Sequence, residues 1–451
     1  NYTFYCNFCC NFAVLSHLII LKMLIQFTVG NFLSFNQKRT LSLEAGGISE
    51  LKSNIITYNK DKILKSAVIY GANSSGKSNL IKAMKYMKKL VLSSVRLNDS
   101  DELDYTPFLL STETDNQPTF FEIIFWIESV KYRYGFEYNQ TEIMNEWLFI
   151  GKTAKTEKPL FIRTPDGIGI TINFSEGKNN ESKTNKNRLF ISLVAQLGGN
   201  ISNQVLAYFK HYNILSGIEH DDYAGFTKKM LTKKLNSYNT SLDFYQRLKL
   251  GFKEINAIES DFTAPALPNH ISSIFKTKII EDLKDKKIVQ LKTMHNKFDK
   301  QKKVVDYVVF DKVKDESEGT NKIIDLSGPI FDTLEFGKAL IIDELDAKLH
   351  PLITIEIIKL FNSPVTNPNN AQLIFATHDT NLLAEDLFRR DQIWFTEKDE
   401  LEQTDLYSLY DFYLPEDNED KKNKEKKVRK DSNYEKNYIR GRYGAIPYIT
   451  N

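Results

Sequence analysis

The residues with the clearest chemical potential form the stretch Gly71-Ala72-Asn73-Ser74-Ser75-Gly76-Lys77-Ser78, which has the spacing G-x-x-x-x-G-K-S. In this Walker A pattern a glycine-rich loop cradles phosphates with its backbone N–H groups at the start of a helix. Lys77 can reach β- and γ-phosphates, and the Ser78 hydroxyl can ligate Mg²⁺. The pattern predicts ATP and Mg²⁺ as cofactors. The predicted nucleotide contacts are Gly71, Asn73, Ser74, Ser75, Gly76, Lys77, Ser78 and Asn79.

Two apolar runs later in the chain end in residues that could complete such a site. Ala339–Ile342 is followed by Asp343 and Glu344, and Leu373–Ala376 is followed by Thr377 and His378. Asp343 can reach Mg²⁺ through a water molecule, and Glu344 can polarise another water molecule as a general base. His378 is suited to contact a γ-phosphate or to hold the attacking water. We therefore predict Glu344, His378 and Lys77 as catalytic residues, and Ser78 and Asp343 as metal ligands.

The elements around these residues agree with that chemistry. Ala67–Tyr70 is short, apolar and β-branched, which predicts a buried parallel strand, and helical spacing of apolar residues extends from Asn79 to about Val95. Met23–Val29 and Arg39–Leu43 predict an opening β-layer. Alternating aromatic and β-branched residues over 117–163 predict an antiparallel meander whose aromatic side chains belong to the core.

The remaining pattern divides the chain into five parts. We predict a non-native upstream leader at 1–22, a first part of the nucleotide-binding domain at 23–186, and a mainly helical insert at 187–300. A second part of that domain follows at 301–415 and contains a helix from Lys322 to Leu334. Two predicted hairpin strands, near 288–293 and 304–310, lie on either side of the boundary between the insert and this part. A charged tail covers 416–451; it is typical of a solvated loop or helix, and alternatively of a docking surface.

Composition limits the classes of protein. The 451 residues carry a formal net charge of +2, which predicts no strong general affinity for nucleic acid or membrane, although a local basic patch remains allowed. The three cysteines, Cys6, Cys9 and Cys10, all precede Met23, which we interpret as the true start. The cysteine-free sequence from Met23 onward fits a reducing cytoplasm and excludes a disulfide framework. We also expect no membrane partner.

The order GANSSGKS, IIDELDAKLHP and FATHD resembles the ABC-type ATPase head of SMC-like and RecF-like proteins. The resemblance implies an α/β fold, a P-loop NTPase of ABC-ATPase type, with a mixed sheet, an N-terminal antiparallel β-layer and a helical insert. It further implies that Ser317 and Gly319, in a degenerate signature motif at 316–320, contact the γ-phosphate bound by the opposite subunit. Residues 346–351 match the dimer-interface turn. Gln117 and Gln196 are weak candidates for the Q-loop glutamine.

With MLIQFTVGNFLSF, ESEGT and RGRYGAIP added, the chain resembles the stand-alone ATPases of bacterial abortive-infection and anti-phage systems, the AbiL/RloA-like group, to which the PARIS ATPase is related. This resemblance implies a homodimer or higher homo-oligomer. It also implies a separately encoded effector, a nuclease or another toxin.

The expected function is that of a Mg²⁺-dependent ATPase that acts as a nucleotide-controlled dimeric switch and regulates such an effector. Two alternatives remain open. A RecF/SMC-type DNA-repair head would show DNA-stimulated hydrolysis, and nucleic acid would be its partner. A non-catalytic scaffold would bind ATP with negligible turnover, although Glu344 and His378 count against it. A transporter ATPase is least favoured, because the sequence offers no membrane partner segment.

Overall fold

The computed structural model describes residues 21–58, 60–151, 156–219, 221–235, 237–261, 277, 287–384, 386–414, 426–429 and 432–447. The helices are α1 Lys77–Ser93, α2 Phe190–Gln196, α3 Asn200–His211, α4 Asp221–Lys233, α5 Tyr238–Arg247, α6 Lys312–Asp315, α7 Glu318–Phe336, α8 Pro351–Asn362 and α9 Tyr434–Ile439. The strands are β1 Lys22–Gly30, β2 Arg39–Ser42, β3 Ile55–Tyr58, β4 Asp61–Leu64, β5 Ser66–Tyr70, β6 Thr119–Ile127, β7 Val130–Tyr138, β8 Ile143–Gly151, β9 Lys158–Thr164, β10 Gly167–Ile170, β11 Tyr212–Ser216, β12 Glu254–Asp261, β13 Lys287–Phe298, β14 Val304–Asp311, β15 Ala339–Asp343, β16 Gln372–Ala376, β17 Ile393–Lys398, β18 Thr404–Ser408, β19 Tyr413–Leu414 and β20 Lys426–Lys427.

A central six-stranded sheet positions the predicted site. Its strand order is β11-β15-β16-β5-β17-β18. The first five strands are parallel, and β18 pairs antiparallel with β17. The predicted parallel strands at 67–70, 339–342 and 373–376 are confirmed. Because these strands are parallel, their carboxyl ends, which carry the predicted site residues, meet at one edge of the sheet.

Alternate side chains of these strands enter two different hydrophobic cores. Ala67 and Ile69 of β5 join the core that contains α1 and the antiparallel sheet, whereas Val68 and Tyr70 join the core under α7 and α8. Strands covered on both faces read as continuous apolar runs, because both sets of side chains leave water. The apolar sequence of β5 therefore follows from its central place.

The opening β-layer and the meander form one seven-stranded antiparallel sheet, ordered β10-β9-β8-β7-β6-β1-β2. The meander prediction for 117–163 is confirmed, and its aromatic side chains are core residues, with Phe121, Phe125 and Tyr134 fully buried. Phe32 and Phe35 bridge a tight turn between β1 and β2. The fold is thus α/β with a mixed central sheet and an N-terminal antiparallel layer, as predicted.

The prediction of a mainly helical insert at 187–300 is wrong in part. This stretch holds α2 to α5, but β11 pairs with β15 in the central sheet, and β12 and β13 join β14 in a three-stranded antiparallel sheet. Short apolar runs do not distinguish a buried strand from a helix segment by periodicity alone. The helix predicted over 274–283 lies outside the described residues, apart from position 277. The predicted hairpin strands are confirmed as β13 and β14.

The structure describes part of the C-terminal end of the chain but not the first 20 residues. Residues 1–20, including the three cysteines, lie outside the described residues, so the leader remains a prediction. The solvated loop or helix predicted from the charged run at 416–430 lies mostly outside the described residues, whereas Tyr438, Tyr443 and Ala445, later in the tail, are buried in the second core. Aromatic contacts with distant strands hold residues 432–447 in place. The charge pattern of 416–430 gave no sign of these contacts. Among the described helices, none has the length and apolar character needed to cross a bilayer.

Candidate nucleotide-binding site

The P-loop, residues 71–78, connects β5 to α1 and is tightly enclosed at its two glycines. A Cβ on Gly71 would lie 2.4 Å from the backbone oxygen of Thr396, and a Cβ on Gly76 would lie 2.3 Å from Oγ1 of Thr404. Gly76 also has a φ of 113°, a conformation that side chains disfavour. Both glycines are therefore required by close backbone approach as well as by loop conformation.

Lys77 is the buried cation of the loop. Its Nζ donates hydrogen bonds to the backbone oxygens of Gly71 at 2.8 Å and Ala72 at 3.0 Å. Burial lowers the pKa of Lys77 to about 8, and the negative charges of Asp343 and Glu344 oppose this shift. The ammonium group is thus held inside the loop, where it could exchange carbonyl contacts for phosphate oxygens.

The predicted loop contacts divide into two kinds. Ser75 is buried and its hydroxyl lies 2.6 Å from Oγ1 of Thr396, while the Asn79 amide donates to the Ser34 hydroxyl at 2.8 Å. These two side chains fasten the loop to β17 and to the turn after β1. Asn73 and Ser74 are exposed. Nucleotide contact by Ser75 and Asn79 therefore remains a prediction, and their backbone N–H groups are the parts suited to it.

Asp343 ends β15, and Glu344 follows it with a φ of 55°. A non-glycine residue in this left-handed conformation is uncommon and is found disproportionately at functional sites. Oδ1 of Asp343 and Oδ1 of Asp346 are buried without a hydrogen-bond partner among the described residues. Orphaned buried carboxylate oxygens fit a site that Mg²⁺ would complete together with the Ser78 hydroxyl and nucleotide phosphates.

The described residues contain no cluster of three or more acidic, histidine or cysteine ligands. A P-loop site supplies one hydroxyl and one carboxylate to Mg²⁺ and leaves the remaining positions to phosphates and water.

His378 follows β16 and Thr377 at the same sheet edge. Its backbone N–H donates to Oδ2 of Asp346 at 3.4 Å, and its imidazole is exposed. Partial burial and the nearby Lys77 charge lower the pKa of His378 below its ordinary value. The ring is therefore neutral at pH 7, and one of its nitrogens can donate a hydrogen bond to a phosphate oxygen or to water.

The signature segment, residues 316–320, begins α7. The Ser317 hydroxyl caps this helix by accepting from the backbone N–H of Thr320 at 3.1 Å. Ser317 is exposed, and Gly319 lies so close to the following loop that a Cβ would be 3.2 Å from the Lys348 backbone oxygen. Both residues thus sit at an exposed helix N-terminus, which suits an anion, and they pack beside the turn after Glu344.

Residues 66–384 match the family model described as "AAA domain, putative AbiEii toxin, Type IV TA system". The match spans more than half of the chain and includes the P-loop, Asp343, Glu344 and His378. The chain belongs to this family. Membership gives it an AAA domain, the P-loop fold of nucleotide-binding ATPases. None of the curated proteins is similar enough to count as a relative.

Solved structures similar to this family member include heads of SMC proteins. The SMC head domain from Thermotoga maritima shares 11% identity, with 85% of this chain and 98% of that chain covered, at a TM-score of 0.38. A SmcHead bound to the C-winged helix domain of ScpA shares 13%, with 85% and 97% covered, at 0.44. The Smc head from Pyrococcus furiosus, bound to the C-terminal domain of ScpA, shares 11%, with 86% and 96% covered, at 0.37.

Gly217 is a site residue that the motif analysis missed. It follows β11, and its backbone N–H donates to the Asp343 backbone oxygen at 2.6 Å. A Cβ at this position would lie 1.9 Å from the Glu344 backbone oxygen. Gly217 therefore lets β11 end directly against the two carboxylate residues. No local sequence signal marks it, because its requirement depends on a strand pairing that the sequence did not predict.

The C-terminal segment, residues 432–447, was also missed as part of the site. Tyr438, Ile446 and Pro447 line a cavity of about 420 Å³ together with Gly71 and His378. In contrast, neither candidate for the Q-loop glutamine contacts the site by a hydrogen bond among the described residues. Gln117 is exposed before β6, and Gln196 is exposed at the end of α2.

Proposed function

We propose that this chain is a Mg²⁺-dependent ATP hydrolase. One observation carries the proposal: the chain brings Lys77, Asp343, Glu344 and His378 to one sheet edge, close enough that their charges shift the pKa values of Lys77 and His378. This combination supplies a phosphate-binding cation, a metal-binding carboxylate, a general base and a neutral hydrogen-bond donor.

Each residue has a distinct part in the proposed reaction. The P-loop N–H groups and Lys77 would hold the β- and γ-phosphates, and Ser78 with Asp343 would hold Mg²⁺, which would neutralise phosphate charge. Glu344 accepts a proton from the water that attacks the γ-phosphorus, the bond from this phosphorus to the β-phosphate oxygen breaks, and ADP and inorganic phosphate leave. His378 donates a hydrogen bond that orients the attacking water or the γ-phosphate. Asp346 contributes negative charge beside His378.

We propose further that two copies sandwich ATP. The support is the position of Ser317 and Gly319 at an exposed helix N-terminus, packed against the turn after Glu344. That N-terminus could add N–H donors to a γ-phosphate bound by a second copy. Bridging two copies through one nucleotide would make assembly depend on the presence of the γ-phosphate, so hydrolysis would release the dimer.

The biological setting is proposed from the family description, which names a putative AbiEii toxin of a type IV toxin–antitoxin system. Together with the ESEGT and RGRYGAIP segments, it supports a role in bacterial anti-phage defence. In this role the ATP-bound assembly, in the cytoplasm, holds or releases a separately encoded effector. A DNA-repair role is distinguished by a stimulation of turnover by DNA, which the defence role does not require.

The test measures ATP turnover and particle mass for the wild type, Glu344→Gln and a matched Glu356→Gln control. Glu356 lies on α8, and its exposed side chain contacts Lys359. We expect Glu344→Gln to lose turnover by about 10²-fold or more, because the general base is removed while binding remains. It should accumulate as an ATP-bound assembly, and the control should match the wild type. Unchanged turnover in Glu344→Gln would refute the proposed mechanism.

A further inference from the structure

The C-terminal segment reaches the P-loop from the far end of the chain. Its helix α9 places Tyr438 against two strands of the central sheet, with ring centroids 5.3 Å from Phe395 and 5.6 Å from Tyr70. Tyr70 is the last residue of β5, directly before Gly71. The Tyr438 ring is 6% exposed, so it packs as a core residue at the base of the P-loop.

Hydrogen bonds fix this arrangement beyond the ring packing. The Tyr438 hydroxyl donates to the Ala445 backbone oxygen at 3.0 Å, and the Tyr407 hydroxyl on β18 donates to the Tyr443 backbone oxygen at 2.7 Å. Burial raises the pKa of Tyr438 to about 12. The hydroxyl thus holds the C-terminal segment together, while the ring packs on Tyr70, directly before the first residue of the P-loop.

The end of the segment is apolar and faces the first half of the P-loop. Ile446 and Pro447 line the cavity of about 420 Å³ beside Gly71, Asn73 and His378, and also a second cavity of about 300 Å³ beside Asn73 to Ser75. Under the proposed function, the γ-phosphate lies between Lys77 and His378. The apolar residues therefore stand on the γ-phosphate side of the site, where they exclude water and strengthen charge interactions.

We propose that the C-terminal segment is a part of the nucleotide site that favours triphosphates over diphosphates. Tyr438 is a positioning residue for the start of the P-loop, and Ile446 with Pro447 forms a wall on the γ-phosphate side. This inference rests on the proposed ATP binding and adds to it the element that distinguishes ATP from ADP.

The test compares Mg²⁺-dependent binding of a non-hydrolysable ATP analogue with binding of ADP, by calorimetry on the full chain. The variants are Tyr438→Phe, which keeps the ring but removes the hydroxyl, and Ile446→Ala, with Lys436→Ala on the exposed face of α9 as control. Loss of one hydrogen bond should weaken binding of the ATP analogue about 3- to 10-fold in Tyr438→Phe. ADP affinity should change less than about 2-fold, because the segment lies on the γ-phosphate side.

Equal weakening of both nucleotides, or no change in either variant, would overturn the inference while leaving ATP binding intact. A wild-type chain that binds neither nucleotide would instead overturn the proposed function, and this inference with it. Thermal unfolding without nucleotide separates a folding defect from a binding defect. We expect the unfolding midpoint of Tyr438→Phe to stay near that of the wild type, because the ring contacts with Phe395 and Tyr70 remain.

Discussion

Lys77 is the residue at which the electrostatics of the site concentrate. It is buried, it already spends its hydrogen bonds on two loop carbonyls, and three carboxylates stand near it. Because burial disfavours the charged form of Lys77, an anion that binds beside it would stabilise that form. Nucleotide phosphates are such anions.

This predicts a pH dependence of ATP binding. Without nucleotide the pKa of Lys77 is about 8, and contact with a phosphate should raise this pKa. The complex then binds more protons than the free protein, so affinity should be full below pH 8 and fall by up to about tenfold per pH unit above it. Calorimetry at pH 8 to 9 in two buffers of different ionisation enthalpy should reveal proton uptake.

Lys88 provides the control for this measurement. Its pKa is also lowered to about 8 by burial, but it lies at the other end of α1, where its Nζ donates to the Tyr212 backbone oxygen. Lys88→Met should keep the proton uptake on ATP binding. Binding without proton uptake in the wild type would show that Lys77 is not the phosphate-binding cation.

Gly217 gives a second prediction at this scale. Gly217→Ala forces the backbone at the end of β11 away from Glu344, because the new Cβ would lie 1.9 Å from its oxygen. We expect a lower unfolding midpoint and a loss of turnover by about 10-fold or more, since a misplacement of about 1 Å has effects of this size.

Gly225→Ala is the matched control. Gly225 lies on α4 with open space where its Cβ would stand. Replacing a helical glycine with alanine should stabilise the protein by about 0.5–1 kcal/mol and leave turnover unchanged. If Gly217→Ala behaved like Gly225→Ala in thermal unfolding and turnover, the contact between β11 and the carboxylate turn would be unimportant.

Residues of the motifs could be found from sequence because their chemistry restricts residue types over a few neighbouring positions. Lys77, Asp343, Glu344 and His378 meet at one sheet edge as the parallel strands required. Gly217 and Tyr438 could not be found this way. Each is needed for contact with residues far away in the chain, and nothing near either residue announces that contact.

At the scale of elements, α7 links the signature segment to the carboxylate turn. Lys322 on this helix is fully buried, and its Nζ donates to the backbone oxygens of Leu345 at 3.1 Å and Ala347 at 2.5 Å. Burial lowers its pKa to about 8, and Asp346 and Glu344 oppose the shift. The helix that presents Ser317 is therefore joined to the turn that begins with Glu344.

Breaking this link should cost both stability and turnover. Lys322→Met leaves the buried Leu345 carbonyl oxygen without this donor, which costs about 1–3 kcal/mol of unfolding free energy, whereas the half-buried Ala347 oxygen can accept from water instead. Turnover should fall with it, because the turn carrying Glu344 loses its anchor. Urea unfolding and steady-state hydrolysis measure the two effects.

Lys348→Met is the matched control for this variant. Lys348 lies on the same turn, and it forms an exposed ion pair at 3.3 Å with Glu318, the first residue of α7. Exposed pairs contribute less than about 1 kcal/mol, so this variant should remain close to the wild type in stability. Equal losses of unfolding free energy in Lys322→Met and Lys348→Met would show that α7 is not anchored through Lys322.

Element prediction succeeded for long periodic patterns and for the short apolar runs that precede the site residues, and it failed for short runs beside helices. The meander over 117–163 and helix α1 have many periodic residues, whereas β11 and β12 are short runs next to helices. The pairing of β11 with β15 and of β12 with β13 decided their conformation. Such tertiary pairing overrides local propensity.

At the scale of the whole molecule, the proposed ATP sandwich requires a second copy of the chain. Ser317 is exposed at the start of α7, and its proposed partner is the γ-phosphate in another chain rather than in its own P-loop. A C₂ dimer would then contain two composite sites, each with the P-loop of one copy and the signature segment of the other. In this proposed dimer, neither site would be complete within one chain.

Mixing two inactive variants tests this claim most directly. Lys77→Ala removes the phosphate-binding cation, and Ser317→Arg blocks the signature segment. In a mixed dimer one composite site keeps both an intact P-loop and an intact signature segment. We predict that each variant alone is inactive and that the mixture recovers up to about a quarter of wild-type turnover, as random pairing in a C₂ dimer allows. A mixture as inactive as its components would contradict the shared site.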